Sequence, residues 1–250
     1  MSANPGVAAA AGPSGNVVRE ALELLLSFPW RFLGLFVLWL LLVEALMLVP
    51  FLGFVFKLGL AGLTMASLAF VLGRMAEGQA PRLRDLAWGL RLPLRTQALL
   101  ALASLLPFAA GLAVLSLAQG RDAVSFFFSA APLLATMSPP SPWAMVSMKA
   151  AIYVASLVFT FLPMAAAAEP GQDPGELQRK SLAALRRFWL QVVLMVGFAF
   201  TLEVLAVTLA LGPPGLGSKF GAGVLQLALL LIWMPLSLAI TVLLYQRSRA

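Results

Sequence analysis

The chain has 250 residues, of which 61% are apolar and only 11% are charged, and its formal net charge is +7. Soluble domains carry about 25% charged residues, so this composition excludes water as the main solvent of the chain. Cysteine and histidine are both absent, which excludes disulfides, thiolate nucleophiles, imidazole bases and the usual zinc, copper and haem ligands. Nucleic acid is not an expected partner, because the basic residues flank apolar segments instead of forming a separate domain with interleaved aromatics.

The amino-terminal part predicts a tail followed by an interfacial helix. Residues 1–16 are small and contain Pro and Gly, without the basic and apolar regions of a signal peptide, and we expect a disordered cytoplasmic tail. Residues 17–28 place apolar side chains at helical spacing, with Arg19, Glu20 and Glu23 clustered away from them. This pattern predicts an amphipathic helix that lies in the membrane interface and ends before Pro29.

The first hairpin of spans is predicted at residues 32–49 and 54–73. Its turn, Pro50-Phe51-Leu52-Gly53, is too short for anything but a tight reversal. The second span carries small residues at three- and four-residue steps, which favours close packing of another helix. These residues are Gly59, Gly62, Ala66, Ala69 and Gly73.

The middle of the chain is predicted to hold a second interfacial helix over residues 74–95 and a third span over 96–117, which contains Pro107. Residues 124–137 are apolar but too few to cross a bilayer. If they did cross, the basic segments on either side would lie on opposite faces of the membrane, against the positive-inside rule. We therefore expect a re-entrant or surface-lying segment.

The remaining spans are predicted at residues 143–167, 188–211 and 220–245, the last kinked near Pro235 and followed by a short tail at 246–250. A third amphipathic helix is predicted at 176–187. The fold class is thus all-α, a single membrane domain over 17–245 with about six transmembrane helices and three interfacial helices.

Charge placement predicts the topology. This arrangement leaves four of the 17 basic residues (Lys57, Arg121, Lys149 and Lys219) towards the outer side and 13 on the side that holds both termini. The positive-inside rule then predicts cytoplasmic termini. The first and last hairpins share a Glu, a Pro-x-Leu-Gly turn and a Lys, which indicates either duplication or chance similarity in a Leu- and Ala-rich chain.

Two glutamates and three lysines form the candidate intramembrane polar cluster, namely Glu44, Glu203, Lys57, Lys149 and Lys219. A central charge costs about 2.5–3.5 kcal/mol in a bilayer, so such groups face the bundle interior and find partners. The simplest interpretation pairs the glutamates with lysines, although protonated glutamates satisfy the same requirement. Such residues either form a proton- or cation-coupled site between two repeats or act as structural ion pairs that set helix register.

A second set of candidates is basic and interfacial. These residues are suited to anionic lipid headgroups or to a membrane-protein partner, or they are a topology signal alone. They are Arg82, Arg84, Arg91, Arg95, Arg179, Lys180, Arg186 and Arg187.

Enzymatic chemistry is not predicted. The sequence contains no HExxH, GxSxG, GxGxxG or Walker A pattern, and no cofactor or metal is expected. Asp85, Asp122 and Asp173 fall in loops or interfacial helices, with no partner expected in a span. A Ser-Lys dyad that uses Lys149 or Lys219 is a weakly specific alternative.

The segment Gly78-x-x-Pro81-x-Leu83-x-Asp85-Leu86-x-x-Gly89-x-Arg91 follows a hairpin that an amphipathic helix introduces. Over roughly residues 17–95 the chain resembles uncharacterised bacterial inner-membrane proteins, including the YciC-like family and the membrane domain found beside glycerophosphodiester phosphodiesterases. The resemblance implies a six-helix membrane bundle and transfers no catalytic residue.

Two functions are compatible with these patterns. The leading hypothesis is a non-enzymatic integral membrane scaffold or accessory subunit, which acts through its basic amphipathic helices and small-residue faces. The rival is a small transporter or proton-coupled carrier that uses Glu44 and Glu203.

Overall fold

The computed structural model describes residues 16–45, 52–120, 123–125, 140–211 and 216–249. Regular structure in these ranges is entirely helical, which confirms the predicted fold class. Five helices are long and apolar enough to cross a membrane, and a sixth span is counted if α1 and α2 are taken together. The helices are α1 (Val17–Ser27), α2 (Pro29–Ala45), α3 (Leu52–Ala76), a 3-10 helix (Leu83–Arg91), α4 (Leu94–Gln119), α5 (Pro142–Ser156), α6 (Leu162–Ala168), α7 (Pro174–Leu211), α8 (Leu216–Ala228) and α9 (Met234–Arg249).

The amphipathic helix α1 forms as predicted. The Asn16 side chain caps it by accepting a hydrogen bond of 3.1 Å from the backbone N–H of Val18. The chain then bends by 90° into α2 at Phe28, just before Pro29. α1 packs against the carboxy-terminal helix α9, and Arg247 donates to Glu20 at 2.6 Å. The two ends of the described chain are therefore held together.

The helix predicted over residues 74–95 is wrong in its extent, and its central part is a 3-10 helix. α3 continues to Ala76, the chain reverses at Gly78 in a left-handed conformation (φ +74°), and a 3-10 helix runs back along α3. Gly89 allows this close packing, because an added Cβ would lie 2.2 Å from the Leu63 carbonyl oxygen. The Gly89 N–H also donates to the Ser67 hydroxyl at 2.8 Å. The segment is therefore a packed part of the bundle.

Asp85 has a partner in a span, contrary to the prediction. The Asp85 carboxylate is 4% exposed and accepts hydrogen bonds at 2.8 and 3.0 Å from Nη1 of Arg74, in the last turn of α3. It also accepts from the Arg82 backbone N–H at 2.9 Å, which caps the 3-10 helix. Trp88 stacks on Phe70 with ring centroids 4.6 Å apart. The resemblance motif thus has a structural explanation in Gly78, Asp85 and Gly89.

Close helix contacts occur at only part of the predicted small-residue stripe. Gly62 faces α4, where an added Cβ would lie 2.2 Å from the Leu100 carbonyl oxygen, and Ala66 and Ala69 are buried. Gly59 and Gly73 face open space within the described part of the chain. The stripe therefore packs along its middle and not along its whole length.

Three of the helical spans are interrupted. The predicted span at 143–167 consists of α5, a 3-10 turn (Leu157–Phe159) and α6, with Pro163 at the start of α6. The last span contains a π-helical turn (Leu229–Trp233) immediately before Pro235, which has no N–H to continue the ordinary ladder. The predicted helix at 176–187 is the first part of α7, whose backbone leaves the helical region at Phe188. Residues 246–249, predicted as a tail, form the last turn of α9.

Several predictions lie outside the described residues. They concern the tail at 1–15, the Pro- and Gly-containing turns at 46–51 and 212–215, and all but the start of the apolar segment at 124–137.

Candidate functional site

The first intramembrane ion pair joins the two helices of the amino-terminal hairpin. Lys57 of α3 donates to Glu44 of α2 at 2.6 Å. The Glu44 side chain is 62% exposed, so this pair lies on the outside of the bundle. A structural role for this pair is sufficient, since each charge neutralises the other where the surroundings are apolar.

The second ion pair joins helices from different hairpins. Nζ of Lys149 on α5 lies 2.8 Å from Oε1 of Glu203 on α7. The Lys149 side chain is 23% exposed and the Glu203 side chain is 31% exposed. A strict repeat of the first hairpin would pair Glu203 with Lys219, whose side chain is outside the described structure. The described pairing connects α5 to α7.

Lys149 and Glu203 line a cleft of about 560 Å³, which we call the interhelical cleft. Its walls come from α3, α5, α7, α8, the π-helical turn and α9. The other polar side chains that line it are Tyr153, Gln226 and Ser237. Most of the remaining wall is apolar and includes Met65, Met195, Met234 and Trp233. An ion pair in a largely apolar cleft of this size is a typical arrangement for binding a small molecule.

The polar groups of the cleft are fixed by their helices. Tyr153 is one turn after Lys149 on α5, and its ring contacts the edge of Phe200 of α7 at a centroid distance of 5.7 Å. The Ser237 hydroxyl donates to the Met234 carbonyl at 3.0 Å and keeps a lone pair for a ligand. Gln226 supplies an amide, which both donates and accepts hydrogen bonds.

The π-helical turn forms one side of the cleft. Leu229, Leu230 and Trp233 line it, and Trp233 packs on Phe198 of α7 with ring centroids 4.6 Å apart. Single π-helical turns occur frequently at functional sites, because they re-aim side chains at small cost. In this protein Gln226 precedes the π-helical turn and Ser237 follows it, and both side chains line the cleft.

The two charges of this site are suited to recognising a charged ligand. The Lys149 ammonium has three donors and the Glu203 carboxylate is an acceptor of several hydrogen bonds. A ligand that carries both a carboxylate and an ammonium group can replace each partner of the pair by the equivalent group. A ligand of single charge would leave one side chain unpaired, at a cost of about 2.5–3.5 kcal/mol in a bilayer.

The predicted site residues therefore divide into separate groups. Glu44 and Lys57 do not line the interhelical cleft, so the five predicted polar residues do not form one cluster. Among the basic candidates, Arg179 pairs with Glu176 and Lys180 pairs with Glu169. The other basic candidates are exposed: Arg82, Arg84, Arg91, Arg95, Arg186 and Arg187.

The sequence analysis did not single out Tyr153, Gln226 and Ser237. The spacing of Lys149 and Tyr153, four residues apart on one helix, was a usable signal, because such residues share a helix face. Gln226 and Ser237 carried no comparable signal. Their position depends on the π-helical turn, which hydropathy does not reveal.

Comparison with known proteins finds no matching family model, no matching curated protein and no matching solved structure. The chain is a polytopic helical membrane protein, and its contact with the lipid bilayer follows from its spans. Function has to be argued from the site itself.

Proposed function

We propose that this integral membrane protein is a small carrier that binds a zwitterionic molecule with an apolar body in the interhelical cleft. The observation that carries the proposal is the Lys149–Glu203 ion pair, which lines a cleft of about 560 Å³ together with Tyr153, Gln226 and Ser237. Ligand pockets in proteins have volumes of about 300–1,000 Å³. The cleft thus offers both charges and an apolar wall to one small molecule.

The interrupted helices support a carrier over a static binding protein. Transporters place their sites where helices are broken, because unwound turns supply polar groups and allow helices to move against each other. In this protein α5, which carries Lys149 and Tyr153, ends at Ser156 and continues into a 3-10 turn. The π-helical turn of the last span lines the cleft directly. Both interruptions therefore lie beside the proposed site.

The first experiment measures thermal unfolding of the purified full chain in detergent with leucine or phenylalanine as zwitterionic probes. A ligand at 100 times its dissociation constant stabilises a protein by about 2.7 kcal/mol, so binding is seen as a raised melting temperature. We expect stabilisation of the unmodified protein and its loss in Glu203→Gln and Lys149→Gln. Tyr153→Phe keeps the ion pair and removes only a hydroxyl, so it tests the cleft with least effect on folding.

The matched control is Glu44→Gln, which removes a carboxylate from the ion pair outside the cleft. Stabilisation by the probes is expected to persist in this variant. A probe that binds is then tested for uptake into proteoliposomes, which separates a carrier from a binding protein. The proposal fails if no zwitterionic probe stabilises the unmodified protein, or if Glu44→Gln and Glu203→Gln lose the effect equally.

A scaffold or accessory role is the second candidate, and it is favoured by the exposed arginines of the 3-10 helix region. Arg82, Arg84, Arg91 and Arg95 are all exposed, so they are available to an acidic partner or to anionic lipid. Under this alternative, charge reversal at Arg84 and Arg91 abolishes co-purification of a membrane-protein partner from gently solubilised membranes. Recovery of the same proteins with and without the reversal would contradict it.

We further propose that the basic end of the bundle faces the cytoplasm of a bacterial inner membrane. Arg74, Lys180, Arg187 and Arg249 line two clefts that share Tyr245, so these basic side chains gather at one end. The positive-inside rule places such an end in the cytoplasm. Neither an enzymatic activity nor a cofactor is part of the proposal.

A further inference from the structure

A second polar cleft lies at the basic end of the bundle, away from the interhelical cleft. We call it the basic cleft; its volume is about 550 Å³, and α7, α9 and the turn after α6 form its walls. Its polar lining comes from Glu169, Lys180, Arg187, Tyr245 and Arg249. We propose that the basic cleft binds a phosphate group.

The charges of the basic cleft favour an anion. Glu169 accepts a hydrogen bond from Lys180 and forms an ion pair with Arg249, whose Nε lies 3.3 Å from Glu169 Oε1. Arg187 makes a long hydrogen bond of 3.4 Å to the Ser248 carbonyl, and no carboxylate within the described residues neutralises it. Three cations and one carboxylate leave a surplus of two positive charges, which matches the charge of a phosphate monoester at neutral pH.

Tyr245 supplies an independent observation. The residue is only 2% exposed, and its hydroxyl lies beside the Glu169 carboxylate without a hydrogen bond of ordinary geometry to any described residue. Buried polar groups are almost always paired, because an unsatisfied one costs about 1–3 kcal/mol. A ligand oxygen that reaches this hydroxyl from the cleft removes that cost.

Phosphate fits these donors better than a carboxylate does. A phosphate monoester has three oxygens in a tetrahedral arrangement, so it can accept from Arg187, Arg249 and the Tyr245 hydroxyl at the same time. Arginine also donates to phosphate in a bidentate manner. The same group occurs in inorganic phosphate and in the headgroup of phosphatidic acid, and the structure is compatible with both sources.

The experiment uses the purified full chain in nanodiscs. One arm measures the rise in melting temperature on adding inorganic phosphate to phosphatidylcholine nanodiscs. The other arm counts bound lipid by native mass spectrometry after reconstitution with added phosphatidic acid. Binding in the first arm alone identifies soluble phosphate as the source, and binding in the second alone identifies the lipid headgroup.

The variants distinguish a built site from general surface charge. We expect Arg187→Gln and Tyr245→Phe to weaken binding about 10- to 100-fold each, because each removes a hydrogen bond to a charged group. Arg186→Gln is the matched control, because it removes the same charge from the neighbouring, exposed residue outside the cleft. Tyr245→Phe removes a hydroxyl that has no hydrogen bond of ordinary geometry to a described residue, so the fold is expected to be nearly unchanged.

Three results would overturn the proposal. One is an equal loss of binding in Arg186→Gln and Arg187→Gln, which would reduce the effect to net charge. Another is unchanged binding in Tyr245→Phe with a normal melting temperature. Absence of binding in both arms for the unmodified protein would overturn it as well, and none of these results bears on zwitterion binding in the interhelical cleft.

Discussion

The close approach of α3 and α4 at Gly62 predicts that Gly62→Ala lowers the free energy of unfolding. A Cβ added at Gly62 would lie 2.2 Å from the carbonyl oxygen and 2.8 Å from the carbonyl carbon of Leu100. These are backbone atoms and cannot rotate away, so in Gly62→Ala the two helices have to separate. Overpacking of this kind costs about 1–3 kcal/mol.

Gly59 is the matched control, because it lies one turn earlier on the same helix. Among the described residues no atom lies within 4 Å of a Cβ added there. Alanine is favoured over glycine in a helix interior by about 0.5–1 kcal/mol, and this gain applies to both positions. The difference between Gly59→Ala and Gly62→Ala therefore isolates the steric cost, which we expect to be about 1–3 kcal/mol.

The assay is reversible unfolding by sodium dodecyl sulfate in mixed micelles, followed by far-ultraviolet circular dichroism. Gly59→Ala is expected to unfold at the same or a higher detergent fraction than the unmodified protein, and Gly62→Ala at a lower one. Gly73→Ala, at another open position of α3, is expected to behave like Gly59→Ala. Equal stability of Gly62→Ala and Gly59→Ala would refute the close approach.

Three further predictions concern other parts of the fold. Asp85→Asn keeps a side chain that can cap the 3-10 helix but leaves the Arg74 guanidinium without its carboxylate. Because breaking a buried ion pair costs about 3–5 kcal/mol, we expect a free energy of unfolding lower by that amount in the same assay. Unchanged stability would contradict the pairing. Pro235→Ala restores an N–H donor to the last span, so amide hydrogen exchange in its π-helical turn is expected to slow, and unchanged exchange would show that Pro235 does not cause the turn. Because the chain lacks cysteine, a single introduced cysteine is labelled selectively. In inverted vesicles, a membrane-impermeant maleimide is expected to label Arg84→Cys but not Ala118→Cys. The reverse pattern would contradict cytoplasmic placement of the basic end.

Hydropathy and helix-breaking residues were sufficient to predict the membrane-spanning helices and the amphipathic helix α1. Apolar segments of span length require helices, because a lipid-exposed backbone has to satisfy its hydrogen bonds internally. Pro29 correctly marked the end of the amphipathic helix α1, and Pro235 marked the interruption of the last span. These signals act locally, so they are visible in a single sequence.

The fold of residues 77–95 could not be predicted in the same way. Its polar composition is typical of an interfacial helix, and the alternative depends on partners elsewhere in the chain. Arg74 neutralises Asp85, and Ser67 receives the N–H of Gly89 from 22 residues away. Such contacts hold one face of a polar segment against the bundle while its arginines stay exposed, and only the three-dimensional arrangement reveals them.

The same reasoning explains why the candidate cluster was only partly predictable. The cost of a charge in hydrocarbon predicts that Glu44 and Glu203 find basic partners, and both do so. This cost does not predict which lysine pairs with each glutamate. Glu44 pairs within its own hairpin, whereas Glu203 pairs across hairpins with Lys149 and thereby lines a cleft.

This difference between the two pairs leads to a final prediction about Lys149 and Glu203. The double variant Lys149→Glu and Glu203→Lys keeps one charge of each sign on facing helices, so it is expected to recover most of the stability that either single variant loses. If the pair also binds a zwitterion, the exchanged charges require the ligand to bind in the opposite orientation. The ligand then no longer meets Tyr153, Gln226 and Ser237 in the same way. We therefore expect restored unfolding stability without restored stabilisation by leucine or phenylalanine. Recovery of both properties would assign the pair a purely structural role and would refute the carrier proposal.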